Sequence, residues 1–101
     1  MIINTARYTN WWYNIVLNLI KECARGRYSS PQLKNIEKAM EEAVKVTAVY
    51  DNWEYRLKAI YLIFYAEHSI PKVAYELSFS ERTIQRWKID FVNEVGKHAG
   101  F

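Results

Sequence analysis

The sequence predicts an all-α fold, a small domain of five helices, and three observations carry that prediction. Only three Gly and two Pro occur in 101 residues, too few for the many turns of a β sandwich. Between the few breaks, apolar residues recur three and four positions apart, the period of one helix face. Half of the residues are hydrophobic and 16% are aromatic. That is enough apolar material for a core in a chain short enough to form one domain and to bury only a modest share of its surface.

The breaks set the elements in order. They are Gly26 with Ser29-Ser30-Pro31, Asp51-Asn52, Ser69-Ile70-Pro71, Ser78-Phe79-Ser80, and finally Gly96 and Gly100. A first helix is expected over residues 9–24, capped by Thr9 or Asn10, with Trp12, Ile15, Val16, Leu19 and Cys23 on one stripe. A second is expected over residues 31–50. Ser30 suits its N-cap, and Pro31 suits the first helical position, where a missing N–H costs nothing. Leu33, Ile36, Met40, Ala43, Thr47 and Tyr50 form its apolar stripe, and Lys34, Glu37, Lys38, Glu41, Glu42 and Lys45 its wet face. That stripe fits core packing first and a coiled-coil seam second, because it spans under three heptads. A third helix over residues 52–67 carries Trp53, Leu57, Ile60, Tyr61 and Phe64. Residues 70–77 and 81–98 supply the last two. Residues 1–50 read as a helical scaffold or partner-binding region and residues 51–101 as a helix-turn-helix region, the two forming a single compact domain.

Composition narrows the function classes only loosely. A net charge of +3 and a pI near 9.0 permit a nucleic-acid partner without requiring one. Cys23 is the single cysteine, so no disulfide closes within the chain and a reducing, intracellular compartment is expected. The apolar run over residues 11–20 is broken by Asn14 and Asn18 and is too short to span a bilayer. No signal peptide and no membrane role are expected.

The last third is the most informative. Ser69 can cap a short helix, with Pro71 in its first turn, and Ser80 can cap the next, with the Glu81 charge favouring that N-terminus. Two helices joined by about three residues cross steeply and need a small residue at the crossing, here Ala74. Val73, Leu77, Phe79, Ile84 and Trp87 fill the apolar offsets that hold such a pair together. The second helix then turns Glu81, Arg82, Gln85 and Arg86 outward, with Lys88 and Ile89 beyond. Arg pairs with guanine and Gln with adenine, so Arg82, Gln85 and Arg86 are the expected base readers. Lys72, Ser80, Thr83 and Lys88 are the expected phosphate contacts. The turn usually opens with Gly, which accepts a left-handed backbone, and here Ser78 occupies that slot.

Tyr65, the block Ile70-Pro71-Lys72-Val73-Ala74-Tyr75-Glu76-Leu77 and the block Ser80-Glu81-Arg82-Thr83-Ile84-Gln85-Arg86-Trp87-Lys88 resemble a family. They look like the phage late-gene transcription activators of the ArpU and RinA type, which in turn resemble the promoter-reading C-terminal domain of sigma factors. The resemblance covers roughly the last 45 residues, about one such motif with its supporting helix. It implies Arg82, Gln85 and Arg86 in the major groove of double-stranded DNA. It also implies action on phage or prophage promoters in the cytoplasm of a bacterial host, with RNA polymerase or another protein met through the N-terminal helices. Similar blocks suit small terminase subunits, transposases and other repressors. A packaging or recombination subunit therefore stays open, as does an interaction module with a degenerate motif.

Other residues give no chemistry. His68 and His98 lie far apart with no Cys or carboxylate cluster at metal-ligand spacing, so no metal is expected. Cys23 sits on an apolar stripe as a core residue. Glu41 and Glu42 are adjacent and point to different sides of a helix. No Gly-rich phosphate loop occurs, and neither a cofactor nor an enzymatic activity is expected. Trp11, Tyr8, Tyr13 and Tyr28 are candidates for an exposed aromatic patch against a protein or stacked bases. A homodimer would suit two-fold DNA recognition.

Overall fold

The structure, a computed structural model, describes residues 10–27 and 30–101. Five α-helices follow one another: α1 (Tyr13–Ala24), α2 (Pro31–Thr47), α3 (Trp53–Phe64), α4 (Ile70–Leu77) and α5 (Glu81–His98). Among the described residues there is no strand.

Serine caps act where the sequence places them. The side chains of Ser30, Ser69 and Ser80 accept from the backbone N–H of Leu33 (3.2 Å), Lys72 (3.3 Å) and Thr83 (3.1 Å). Each satisfies one of the orphan donors of a first turn. The bounds of α4 and α5 coincide with the expected ones.

Helix α1 departs from expectation in two ways. It starts at Tyr13, not near residue 9, and Trp12 precedes it without a side-chain cap bond. The Tyr13 N–H instead closes a turn onto the Asn10 carbonyl at 2.9 Å, while the Asn10 side chain donates to Asn93 Oδ1 at 3.3 Å. Thr9 lies outside the described residues. The buried face also differs. Tyr13, Val16, Ile20 and Cys23 point inward, Leu19 is half-buried, and Ile15 is 45% exposed. Asn14, Asn18, Lys21 and Glu22 share one side of the helix, and the apolar residues cover an arc wider than the buried face, so the expected stripe fell toward one edge of that arc.

In α2 the expected stripe is core: Leu33, Ile36, Met40, Ala43 and Thr47 are buried, joined by Ala39. The Thr47 hydroxyl donates to the Ala43 carbonyl at 2.9 Å, which satisfies a buried polar group. The helix ends at Thr47, and Tyr50 lies beyond it and exposed. Helix α3 buries Ala59, Ile60 and Phe64, half-buries Leu57, and leaves Trp53 and Tyr61 exposed against expectation. It ends at Phe64, three residues early. Glu67 then takes a left-handed φ of 56°, and the His68 N–H returns to the Leu62 carbonyl at 2.9 Å.

Buried residues form two clusters. The larger gathers Trp12, Val16, Ile20, Ile36, Ala43 and Ile60 with Phe91, Val92 and Val95, and so draws on both sides of residue 50. The smaller holds Ala59, Val73, Ala74, Ile84 and Trp87 between α3, α4 and α5. Helix α5 belongs to both, its first half to the smaller and its second half to the larger. Near its end Gly96 is buried beneath the Trp12 indole, where a Cβ would overlap the ring. No helix among the described residues is long and apolar enough to cross a membrane.

Candidate nucleic-acid interface

The candidate site is built by the joint between α4 and α5. Helix α4 stops because Ser78 adopts φ 61°, ψ 40°, the left-handed region that lets a chain leave a helix. The Phe79 N–H then bonds back to the Ala74 carbonyl at 3.1 Å, a six-to-one closure. Residues 78–80 thus connect the helices with the left-handed Ser78 in the slot where such turns usually carry Gly. Ala74 is 6% exposed at the contact, and its single methyl leaves room for Ile84 and Trp87. The Phe79 ring meets Trp87 edge-on at 4.8 Å and Tyr55 at 5.4 Å. All the expected adhesive residues, namely Val73, Leu77, Phe79, Ile84 and Trp87, are in or against the smaller cluster.

This packing fixes which face of α5 is free. Arg82, Gln85 and Arg86 are exposed, and with Ile89 they line one shallow depression of about 190 Å³. Their spacing of three and four places them on one side of the helix. Glu81 is exposed beside them. Asp90 lies one turn on from Arg86. Burial pushes the Asp90 carboxyl above the usual carboxylate range, and the charges of Arg56 and then Arg86 oppose that shift. Arg56 Nη1 lies 3.6 Å from Asp90 Oδ2, and its guanidinium sits over the rings of Tyr50 (4.6 Å) and Trp87 (5.5 Å). The Arg56 Nε is buried without a hydrogen-bond partner among the described residues.

The four expected phosphate contacts do not share one surface. Lys72 and Ser80 are exposed and Thr83 half-buried. The Ser80 hydroxyl donates to Thr83 Oγ1 at 2.9 Å, so its proton is used in the cap. Lys88 is half-buried on another flank of α5, with Lys21 near it. Sequence reasoning missed Lys21 and Arg25. Their i, i+4 spacing at the end of α1 and its C-cap was visible, but their placement in one cleft with Lys88 depends on tertiary packing.

The remaining candidates resolve as follows. Cys23 is buried and its thiol donates to the Leu33 carbonyl at 3.2 Å, while burial raises its pKa. Tyr13 is buried, and burial pushes its phenol up to about 12. It therefore leaves the expected aromatic patch, of which Trp11 is 84% exposed and Tyr8 and Tyr28 lie outside the described residues. His68 Nδ1 meets Glu76 Oε1 at 2.9 Å. Among the described residues no group of three or more His, Cys, Asp or Glu gathers as a metal site would. Comparison with family models, with curated proteins and with solved structures gives no match.

Proposed function

We propose that this chain is a sequence-specific DNA-binding regulator of transcription, of phage or prophage origin, acting in a bacterial cytoplasm as a binding protein and not as an enzyme. Helix α4, the left-handed joint at Ser78 and helix α5 serve as its helix-turn-helix. The observation that supports this best is the free face of α5, where Arg82, Gln85 and Arg86 stand together while Ile84 and Trp87 anchor the opposite side. Those side chains have the donor geometry for guanine and adenine edges in a major groove. The first three helices supply the mount and the surface for a polymerase or other protein partner. A mobility-shift selection from random duplexes tests the reading. A consensus should emerge, Arg86→Ala should weaken its binding by roughly 1–3 kcal/mol, and binding should fall steeply with salt. Unchanged affinity and selectivity in Arg86→Ala would remove α5 as the reading helix.

A further inference from the structure

On another flank of α5, a cleft of about 330 Å³ opens between α1, the end of α3, the start of α4 and α5 itself. Lys21 reaches it from α1 and Arg25 from that helix's C-cap, Lys88 from α5, Ser69 and Ile70 from the N-cap and start of α4, and Glu67 from the loop before it. The charges in it are not balanced. Arg25 is held by Glu67 at 3.3 Å and by Glu22 at 3.6 Å, and His68 is bonded to Glu76. Neither Lys21 nor Lys88 has an ion-pair partner among the described residues. Two ammonium groups, 67 positions apart in sequence, thus line one cleft, Lys88 half-buried and Lys21 exposed, whose lining carboxylate, Glu67, is paired with Arg25. Burial first, and then the Lys21 charge, lower the Lys88 pKa. An opposite charge placed in the cleft would offset both the burial of Lys88 and its repulsion by Lys21. The positive end of the α4 dipole opens on the same cleft. The Ser69 hydroxyl, whose oxygen accepts from Lys72 N–H, keeps its proton free to donate.

We propose that this cleft is a phosphate site, in which Lys21 and Lys88 bind the anion from two helices and the Ser69 hydroxyl and Ile70 N–H at the start of α4 supply further donors. Point-charge ammonium groups converging with N–H and O–H donors suit a phosphate's several oxygens. The phosphate can belong to a DNA backbone or to a free phosphorylated small molecule. Lys88 lies six residues after Arg82, about 120° round the helix from it, where one wall of a bound duplex would pass. The site does not depend on the DNA reading, although its backbone source does.

Titration of the full chain with inorganic phosphate and with pyrophosphate, at ionic strength held constant with chloride, tests the site by nuclear magnetic resonance. Saturable shifts are expected at Lys21, Ser69, Ile70 and Lys88, with an upward move in the Lys88 titration when the anion is bound. Lys21→Met and Lys88→Met should each weaken binding by about tenfold or more, the loss expected for one charge-assisted contact, and Lys88→Arg should largely restore it. A second arm adds duplex DNA. If DNA moves the same signals and phosphate displaces it, the backbone is the source. If phosphate saturates the cleft without displacing DNA, or if DNA does not bind at all, a small phosphorylated molecule is the source and the site stands without the DNA reading. Shifts that stay linear with phosphate, or that persist unchanged in Lys88→Met, overturn the site.

Discussion

Ser78 carries the left-handed turn between α4 and α5 with a Cβ that this conformation disfavours. An L-residue there costs roughly 1–2 kcal/mol, and glycine returns part of the gain through the greater freedom of its unfolded chain. Ser78→Gly should therefore raise stability by up to about 1 kcal/mol, which thermal denaturation would detect. A lower melting temperature would mean that the serine side chain contributes to the joint. The opposite case is Gly96, where the helix itself would prefer alanine by about 1 kcal/mol. The Trp12 ring fills the space of the missing Cβ, and displacing it disturbs its tilted contact with Phe101 at 5.8 Å. Gly96→Ala should destabilise by about 1–3 kcal/mol, the usual cost of overpacking. No change in denaturant midpoint would show that Trp12 moves aside freely.

At the scale of elements, Ser80 separates two roles that the sequence could not. Its side chain is the cap of α5, and it was also expected to touch phosphate. Ser80→Ala should cost about 1 kcal/mol and speed hydrogen exchange at the Thr83 amide. Ser80→Asp should keep the cap while repelling the DNA backbone, so stability returns and affinity falls. If Ser80→Asp binds DNA as well as the natural protein, the residue acts as a cap alone. Caps of this kind are local, which is why α4 and α5 were legible to the residue and α2 nearly so. The inner face of α1 was legible only coarsely, because Ile15, Val16, Leu17, Leu19 and Ile20 cover an arc wider than the buried face. Only the packing of α2 and α5 chooses among them. The ends of α1 and α3 were misjudged because backbone turns at Asn10 and Glu67, not side-chain caps, set them. The Arg82, Gln85 and Arg86 face was readable from spacing. The distribution of the lysines was not, since Lys88 meets Lys21 only through the fold.

For the molecule as a whole, the division at residue 50 seen in sequence is not a division of the core. Phe91, Val92 and Val95 are buried among residues of α1, α2 and α3. A fragment of residues 51–101 would lose the α1 and α2 side of that cluster and expose them. It should show no cooperative thermal transition, and circular dichroism of the isolated fragment checks this. A sharp transition near that of the full chain would make the last three helices a self-sufficient unit.

The placement of α5 in both clusters also makes it a lever. Arg82 and Val95 are thirteen positions apart, about 20 Å of continuous helix. A cavity cut at Val95 is therefore felt as a change of tilt at Arg82, with no intervening hinge to absorb it. Displacement at its far end and displacement of the Arg82, Gln85 and Arg86 face are therefore mechanically coupled, although the two ends sit in different buried clusters.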